Sequence, residues 1–423
     1  MRNGKYFDAL ERMSRQERSD YSRLNLAQAL KRSYEQSTTG RELFNIAGLV
    51  PADIKSPTDL TRLSITRKND IIDLEKKRPF AGFLTIPVEE VNRIFITPGP
   101  IYEPLHAEGI SWFGRALWAA GFRKGDVVAD TFSYHLSPGG LLFHEAIREC
   151  GATAVPVGTG NTEILVRTMF DIKVNGFVGT PSYLLSVIKK AEEMGYDWNR
   201  DSELRKAWFT GEMLTNSIRQ MLEQNFGINT SQAYAVSEVG GALAYECSEK
   251  NGLHLMDEYV IEIVDPETGE VLEPGKTGEV VVTPVANPTW GLFRFGTGDL
   301  SAVKPEGCGC GRTSLMLTGI AGRVGDAVKV RGVFLVGKQV ESLLAGVAGV
   351  GKIQAIVDRQ QQRDEILVKI ELKDSTANRQ VLSGEVARRF QAQCLVRPDR
   401  IEFVESGVIP EGAKAVSDIR KWQ

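Results

Sequence analysis

Four residues with metal-binding side chains stand in two close pairs along the chain. Cys247 and His254 form the first pair, and Cys308 and Cys310 form the second. Zinc is commonly held by two such pairs from separate loops, through thiolate sulfur and imidazole nitrogen. Four protein ligands would complete a tetrahedron and leave no position for water. The spacing therefore predicts a structural zinc site, and the alternative is two unrelated sites of reduced thiols.

Composition limits the classes of function. The chain has 423 residues, of which 42% are hydrophobic, so it can bury a large core in two or three domains. Its formal charge of −3 provides no overall cationic field for nucleic acid or anionic lipid. No apolar run is long enough to span a bilayer, and the charged start of the chain does not look like a signal peptide. We expect a cytoplasmic protein with neither nucleic acid nor a membrane as partner.

The pattern of apolar segments predicts an α/β fold. Short apolar strands alternate with helical patterns over residues 126–227, which favours a largely parallel sheet covered by helices. Residues 254–320 change to a β-rich texture, and the last hundred residues form a smaller α+β pattern after the glycine-containing segment 322–326. We predict a large N-terminal domain over residues 1–323 and a small C-terminal lid domain over residues 324–423.

Two short motifs stand where parallel strands are predicted to end. Thr180-Pro181-Ser182 can begin a helix, because threonine caps a helix and proline suits its first turn. Gly211-Glu212 follows the next strand directly. Parallel sheets bind ligands at the carboxyl ends of their strands, so both motifs are candidate parts of a binding site.

Several motifs then occur in one order that resembles a known family. They are Gly179-Thr180-Pro181-Ser182-Tyr183, Gly211-Glu212, Tyr234-Ala235-Val236-Ser237-Glu238-Val239-Gly240-Gly241, Arg294-Phe295-Gly296-Thr297-Gly298-Asp299-Leu300, Gly322-Arg323 and Arg331-Gly332-Val333. This order is similar to that of the phenylacetate–coenzyme A ligase family, which belongs to the adenylate-forming acyl-CoA synthetases. The likeness covers nearly the whole chain.

The resemblance implies a two-step reaction. A carboxylate would first be joined to AMP from ATP, with loss of pyrophosphate, and the thiol of coenzyme A would then displace AMP. The implied cofactors and partners are ATP and AMP, Mg²⁺, coenzyme A, structural Zn²⁺ and a small aromatic or arylacetic acid, and the resemblance suggests a homodimer. Some members of the family carry zinc at places that match the cysteine and histidine pairs.

The resemblance also implies catalytic roles. Lys414 matches the C-terminal lysine that meets the charge of the reacting phosphate, although the spacing to Asp418 and Arg420 is shorter than usual. A solvated tail lysine is the alternative. Glu238 matches the glutamate that holds Mg²⁺, a hard cation that prefers oxygen ligands. Alone, Glu238 would be an ordinary surface carboxylate.

A further set of residues matches the family's nucleotide site. Asp299 would accept hydrogen bonds from both ribose hydroxyls, and Tyr234 would offer a flat face to adenine. Arg323 would contact ribose or phosphate, or would instead form an interdomain salt bridge. The complete nucleotide set is Thr97, Gly99, Gly211, Glu212, Tyr234, Ser237, Asp299 and Arg323.

An acyl pocket is expected near the first predicted strand ends. Aromatic walls with small residues between them suit a flat apolar acid, and the residues that fit are Phe132, Tyr134, Gly139, Gly140 and Pro181. Half of these could be packing residues. His135 and His144 lie nearby and are interpreted as structural histidines.

One segment departs from the family pattern. A phosphate-binding loop rich in serine, threonine and glycine, ending near a lysine, is replaced by Thr97-Pro98-Gly99-Pro100-Ile101-Tyr102-Glu103-Pro104. Prolines lack an N–H donor, and Glu103 replaces the base. At about 4 Å its charge would repel a phosphate by roughly 4 kcal/mol at an effective dielectric constant near 20. Glu103 therefore points away, binds through a cation, or marks a protein that handles AMP better than ATP.

Two other functions remain open at this point. The chain could adenylylate a deazaflavin cofactor, which would share ATP use and differ in the acceptor. It could also be a non-catalytic sensor or scaffold that keeps the AMP cleft, because the loop at Thr97–Pro104 has lost donors. The ligase remains the preferred interpretation.

Overall fold

The chain folds into two compact units. The computed structural model describes residues 4–97, 101–105, 111–266, 268–276, 278–320, 322–324, 328–331, 333–335, 337–344, 347, 349–360, 363–373, 379–394 and 396–420. The first unit combines Met1–Leu214 with Arg219–Val324, and the second combines Thr215–Ile218 with Gly325–Gln423. The division into an N-terminal domain over residues 1–323 and a lid domain over residues 324–423 stays a prediction.

The first unit contains fifteen strands among the described residues, distributed along its sequence. They are β1 Thr66–Arg67, β2 Arg93–Ile96, β3 Tyr102–Leu105, β4 Val127–Asp130, β5 Thr153–Pro156, β6 Gly176–Gly179, β7 Lys206–Phe209, β8 Asn229–Val236, β9 Gly241–Tyr245, β10 Leu253–Leu255, β11 Tyr259–Val264, β12 Gly278–Pro284, β13 Phe295–Ser301, β14 Met316–Leu317 and β15 Gly322–Arg323.

The largest sheet has eight strands in the order β14-β10-β9-β8-β7-β6-β4-β5. The strands from β8 to β5 are parallel, whereas β8–β9, β9–β10 and β10–β14 are antiparallel pairs. A second sheet has the order β1-β13-β12-β11, with β15 paired to β13, and β2 and β3 form a separate hairpin. The α/β fold and the β-rich part predicted from the sequence are confirmed.

Nine α-helices lie between residues 15 and 225 among the described residues. They are α1 Arg15–Gln36, α2 Thr38–Ile46, α3 Lys68–Glu75, α4 Gly114–Ala119, α5 Gly139–Glu149, α6 Thr162–Asp171, α7 Pro181–Glu193, α8 Trp198–Asp201 and α9 Asn216–Asn225. Short 3₁₀ helices cover Leu10–Arg12, Pro51–Asp53, Pro57–Arg62, Pro79–Gly82, Val88–Glu90, Ser111–Phe113 and Ser237–Val239.

The parallel sheet is packed closely on both faces. All four residues of β6 are buried, as expected for a central strand between two layers of helices. Gly179 ends this strand, and a Cβ atom there would lie only 2.2 Å from Thr131 Oγ1. Only glycine fits that position, and the backbone of β6 can therefore approach the segment that follows β4.

Local capping fixes where two of the helices begin. Ser14 and Glu17 form a capping box at the start of α1, so each side chain satisfies a backbone N–H of the other. Thr180 caps α7 through the N–H of Tyr183, and Pro181 occupies its first turn. The helix at Pro181 therefore starts directly at the carboxyl end of β6, as the sequence predicts.

The second unit is a small α+β domain. Its strands are β16 Val328–Val330, β17 Val333–Leu335, β18 Val350–Gln360, β19 Arg363–Leu372, β20 Arg400–Glu405 and β21 Val416–Asp418, and its helices are α10 Gly337–Ser342 and α11 Arg379–Cys394. The main sheet has the order β20-β19-β18-β21. Val386 and Phe390 of α11 belong to the same buried core as alternate residues of β18 and β19. This core is made of residues of the second unit alone.

Candidate active site

The carboxyl ends of four parallel strands bring several candidate residues to one edge of the large sheet. Asp130 ends β4, Thr180 follows β6, Gly211 follows β7 by two residues, and Ser237 follows β8. Because β4, β6, β7 and β8 are neighbours and parallel, these residues lie at the same edge of the sheet. The fold therefore places one candidate site where doubly wound sheets bind ligands.

The two predicted strand-end motifs contact each other. Glu212 Oε1 accepts a hydrogen bond from the Ser182 hydroxyl at 2.9 Å, and its Oε2 accepts one from the Ser182 N–H at 3.3 Å. The carboxylate therefore lies at the N-terminus of α7, where the helix dipole favours negative charge. Gly211 has φ of +85°, a left-handed conformation that glycine adopts without strain. Gly211 thus turns the chain so that Glu212 reaches α7.

Three predicted nucleotide-binding residues form one connected group. The Tyr234 hydroxyl donates a hydrogen bond to Asp299 Oδ2 at 2.8 Å. Arg323 Nε lies 2.8 Å from Asp299 Oδ1, and the two residues face each other across the β13–β15 pair. Burial, and then the charge of Asp299, raises the pKa of Tyr234 well above its usual range, so this hydroxyl remains a donor. Arg323 therefore forms its ion pair within the first unit.

Glu238 is a buried carboxylate with a basic partner. It lies in the 3₁₀ turn after β8, and Lys68 Nζ is 2.5 Å from its Oε1. Burial opposes ionisation, but the ammonium of Lys68 outweighs it and holds the pKa of Glu238 below its usual value. Glu238 is therefore negative at neutral pH. The sequence analysis did not single out Lys68 for this role, since nothing in its spacing connects α3 with β8.

The altered loop brings a second carboxylate to the same region. Glu103 lies in β3 opposite Phe95 of β2, and only 8% of its surface is exposed. Burial, followed by the charge of Glu238, raises the pKa of Glu103 well above its usual value. Thr97 is buried, and its Oγ1 accepts a hydrogen bond from the N–H of Ile101 at 3.3 Å. Gly99 lies outside the described residues.

A small cleft opens beside these two acids. Its walls combine Glu103 and Glu238 with apolar side chains, among them Phe95, Leu105, Leu142 and Trp290. Ser237 also lines the cleft. The lining of this cleft is therefore mainly apolar, with two carboxylates among its side chains.

Four of the predicted acyl-pocket residues, Phe132, Tyr134, Gly139 and Gly140, pack around the start of α5, whereas Pro181 begins α7. A Cβ atom on Gly140 would lie 2.7 Å from Tyr134 Cδ2, and one on Gly139 would lie 3.3 Å from Phe132 Cβ. The two glycines therefore allow Phe132 and Tyr134 to approach the helix. These residues are not among the described residues that line the cleft, whereas Pro138 and Leu142 on either side of the glycines are.

A polar network adjoins Tyr134. Its hydroxyl donates to Asp130 Oδ2 at 2.8 Å and lies 3.2 Å from His144 Nδ1. Asp130 is fully buried, and this burial raises its pKa to about 7. The sequence analysis missed Asp130, because a carboxylate at the end of an apolar strand looks like an ordinary turn residue. His144 contacts Tyr134, consistent with a structural role for this histidine.

The four metal-binding residues meet in one cluster in the β-rich part. The ligand atoms of Cys247, His254, Cys308 and Cys310 all lie within 4.8 Å of one another. Cys247 Sγ is 3.5 Å from Cys308 Sγ, and Cys310 Sγ is 3.3 Å from His254 Nε2. Zinc bonds of about 2.3 Å to sulfur and 2.0 Å to nitrogen place tetrahedral ligands roughly 3.5–3.8 Å apart. The cluster therefore fits a zinc ion.

The protonation of the cluster also suits a metal. Burial lowers the pKa of His254 to about 4, so its imidazole is neutral and can ligate. Burial raises the pKa of Cys247 to about 12, whereas hydrogen bonds, above all from the Arg312 N–H, outweigh burial and lower that of Cys310. A bound metal would deprotonate both thiols. His254 Nδ1 lies 3.3 Å from Ser314 Oγ, which helps to orient the ring.

Family models match both parts of the chain. A model described as AMP-binding enzyme matches residues 115–286, and one described as AMP-binding enzyme C-terminal domain matches residues 332–420. A phenylacetate–coenzyme A ligase from Thermus thermophilus is 31% identical over 90% of this chain and 88% of its own length. One from Escherichia coli K12 is 31% identical over 98% and 97%. This chain belongs to the phenylacetate–coenzyme A ligase family.

As a member of the phenylacetate–coenzyme A ligase family, the protein is an AMP-forming acid–coenzyme A ligase. A solved structure of a 2-hydroxyisobutyryl-CoA ligase with 2-HIB-AMP and CoA shares its fold, with a TM-score of 0.92 and 24% identity over 99% of this chain and 93% of that one. Among the described residues, no helix is long and apolar enough to cross a membrane.

Proposed function

We propose that this ligase activates an aromatic or arylacetic carboxylate with ATP and transfers the acyl group to coenzyme A. The observation that carries the proposal is the group in which Tyr234, near the carboxyl end of β8, joins Asp299 and Arg323 of the second sheet. The relatives named phenylacetate–coenzyme A ligase support an aromatic acid as the substrate, because phenylacetate is one.

In this proposal the nucleotide lies along the carboxyl ends of β7 and β8. Asp299 accepts hydrogen bonds from the ribose. Arg323 holds the Asp299 carboxylate in place and faces the phosphate. The backbone at Gly211, Glu212 and Ser237 forms the wall beside adenine, and Tyr234 positions Asp299 through its hydroxyl. Thr97 and Gly99 remain candidates for the loop that faces the phosphates.

The acyl group occupies the apolar space beside α5. Phe132 packs against Phe143 with ring centroids 4.9 Å apart, and the two glycines at the helix start let Phe132 and Tyr134 approach α5. An aromatic ring matches these surroundings better than a short polar acid, because offset ring contacts add to the burial of apolar surface. Tyr134 and Pro181 complete the proposed pocket.

Charge compensation is the main chemical task, since the carboxylate and the phosphate repel each other in the first step. We assign Mg²⁺ to Glu238, whose carboxylate is ionised and held in place by Lys68. Lys414 of the second unit supplies a further positive charge; its side chain is exposed, and its carbonyl accepts a hydrogen bond from Gln354. Zinc at the cysteine and histidine cluster has a structural role.

A pyrophosphate-exchange assay tests the proposal. Purified protein is incubated with Mg²⁺, ATP and labelled pyrophosphate against a panel of aromatic, arylacetic and short aliphatic acids, with and without coenzyme A. We expect exchange that depends on the aromatic acid, and thioester once coenzyme A is added. Exchange with aliphatic acids alone or with a deazaflavin alone would contradict the proposal, as would stabilisation by AMP without exchange for any acid.

A further inference from the structure

The predicted ribose-binding residue Asp299 lies in a bulge of β13. The pairing of β12 with β13 shifts register between Glu279 and Val281, so that residues 297–299 of β13 lie opposite one residue of β12. Gly298 in this bulge has a φ of +74°, a left-handed conformation that suits glycine. Bulges next to binding sites often re-aim a side chain. The direction of the Asp299 side chain therefore depends on what holds the bulge.

A buried ion pair holds this bulge from β12. Glu279 has a fully buried side chain, and its Oε1 lies 2.5 Å from Arg67 Nη1. The same oxygen accepts a hydrogen bond from the N–H of Gly298 at 3.1 Å. The other oxygen of Glu279, Oε2, is buried and has no hydrogen-bond partner among the described residues. Arg67 therefore balances the charge of a carboxylate that is bonded to the bulge.

Strand β13 approaches the ion pair closely. Arg67 belongs to β1, which runs parallel to β13 and places Arg67 beside Gly296. A Cβ atom on Gly296 would lie 2.8 Å from Glu279 Oε1 and 2.9 Å from Arg67 Nη1. Glycine at this position thus leaves the space that the ion pair fills. The position of the pair and the path of β13 are therefore linked.

We propose that Arg67 and Glu279 are positioning residues for the ribose of the nucleotide, and that they act by fixing the bulge that carries Asp299. This inference rests on the proposed function, since it takes Asp299 as the residue that binds ribose. Tyr234 and Arg323 each contact one oxygen of the Asp299 carboxylate. A carboxylate oxygen can accept two hydrogen bonds, so each retains an acceptor position for a ribose hydroxyl. Because hydrogen bonds depend on distance and angle, a shifted bulge would weaken these contacts.

Binding of two nucleotides tests the inference. AMP and 2′,3′-dideoxy-AMP, which lacks both ribose hydroxyls, are titrated into the full-length protein by calorimetry. We expect the parent to prefer AMP and Arg67→Met to reduce that preference roughly tenfold, as when hydrogen bonds to a charged group are lost. The affinity for the dideoxy nucleotide should stay that of the parent. Equal loss of affinity for both nucleotides would indicate a general structural effect and would overturn the inference.

Three further variants make the comparison specific. Arg67→Lys keeps the charge and should retain most of the preference for AMP. Arg23→Met, which breaks an exposed ion pair with Asp20 on α1, should bind both nucleotides as the parent does. If Arg67→Met does not fold, the double variant with Glu279→Gln takes its place, because it leaves no unpaired buried charge.

The inference and the proposed function can fail separately. A parent that prefers AMP, together with an Arg67→Met protein of unchanged preference, overturns the inference and leaves the proposed function standing. A parent that binds both nucleotides equally refutes the ribose role of Asp299 and the inference with it. A protein with the expected preferences that exchanges pyrophosphate with no aromatic acid refutes the proposed function and leaves the inference standing.

Discussion

Lys414 carries its charge on an exposed part of the second unit, just before β21. If it meets the phosphate during adenylation, Lys414→Ala should lower acid-dependent pyrophosphate exchange by about 10²–10³-fold, as expected when a preorganised charge is removed. AMP binding, measured by calorimetry, should change little, because the proposed nucleotide contacts belong to the first unit. Lys373→Ala, at another exposed lysine of the same unit, is the matched control. Equal activity in Lys414→Ala and parent would remove this residue from the mechanism.

Asp130 makes the stability of the protein depend on pH. Its pKa is about 7 in the folded chain because of burial, against roughly 3.9 in an unfolded chain. The folded state therefore holds more protons between these values, and the free energy of unfolding falls as pH rises from about 4 to 7 and then levels off. Over this pH range we expect the free energy of unfolding of the parent to fall by roughly a few kcal/mol, at about 1.4 kcal/mol per pKa unit.

Asp130→Asn should remove most of this pH dependence. Asparagine keeps an acceptor for the N–H of Phe132 or the hydroxyl of Tyr134, while it has no proton to lose. Thermal unfolding at pH 5 and pH 8 measures the difference, and Asp171→Asn, at an exposed site on α6, serves as the reference. The interpretation fails if parent and Asp130→Asn lose the same stability between the two pH values.

Individual residues differ in how far sequence could locate them. The motif order was sufficient to select Tyr234, Asp299 and Arg323, and the structure joins them in one group. Lys68 and Asp130 were not assigned to the site, because their importance comes from burial and from partners distant in the chain. Whether the selected residues perform the roles inferred from resemblance stays a prediction.

At the level of elements, the metal cluster links the turn at Cys308–Cys310 with Cys247, after β9, and with His254 of β10. Loss of zinc should therefore loosen the antiparallel part of the large sheet. Cys308→Ser should lower the zinc content to well below one ion per chain and lower the melting temperature by several degrees, since a structural zinc contributes folding free energy.

Zinc content by mass spectrometry and unfolding by calorimetry measure these effects. Cys150→Ser provides the comparison, because this buried thiol lies against the Gly114 carbonyl, away from the cluster. A strong chelator should destabilise the parent and Cys150→Ser alike but have little further effect on Cys308→Ser. A zinc-free parent with unchanged stability would argue against a structural ion.

Elements with a strong hydrophobic periodicity were easier to predict than elements that form only by packing against or pairing with distant parts of the chain. The strands and helices between residues 126 and 227 follow from alternating apolar runs, and α7 also has a capping threonine and a proline at its start. The sequence did not assign α1 and α2, although their buried residues Leu26, Leu30 and Phe44 share a core with Phe293. The three residues of β21 form a strand only by pairing with β18, which no local pattern reveals.

For the whole molecule, the separate cores predict separate unfolding. The buried cluster of the second unit contains Phe390 and draws only on residues between 328 and 416. Phe390→Ala should lower the stability of that unit by about 3–5 kcal/mol, as for other large-to-small changes in a core. Calorimetry should show one transition move to lower temperature while the other stays in place. A single transition that shifts as a whole would show that the two units unfold together.

The matched change in the first unit is Phe122→Ala, which alters the core beneath the parallel sheet. It should move the other transition, and AMP should raise that transition if the nucleotide binds the first unit as proposed. The α/β class and the small α+β unit followed from the sequence, because alternation of strands and helices is a global signal. The arrangement of eight strands in one mixed sheet could not be predicted from the sequence. It depends on the antiparallel pairing of β8 with β9, which is set by the geometry of the turn between them.

The two sulfur atoms of Cys247 and Cys308 are in contact at 3.5 Å, whereas a covalent sulfur–sulfur bond is about 2.05 Å long. A two-electron oxidant such as peroxide could join them after a small movement, and the joined pair could no longer hold the ion with both thiolates. Exposure to peroxide should then release zinc and soften the antiparallel strands, and a dithiol reductant with added zinc should reverse both effects.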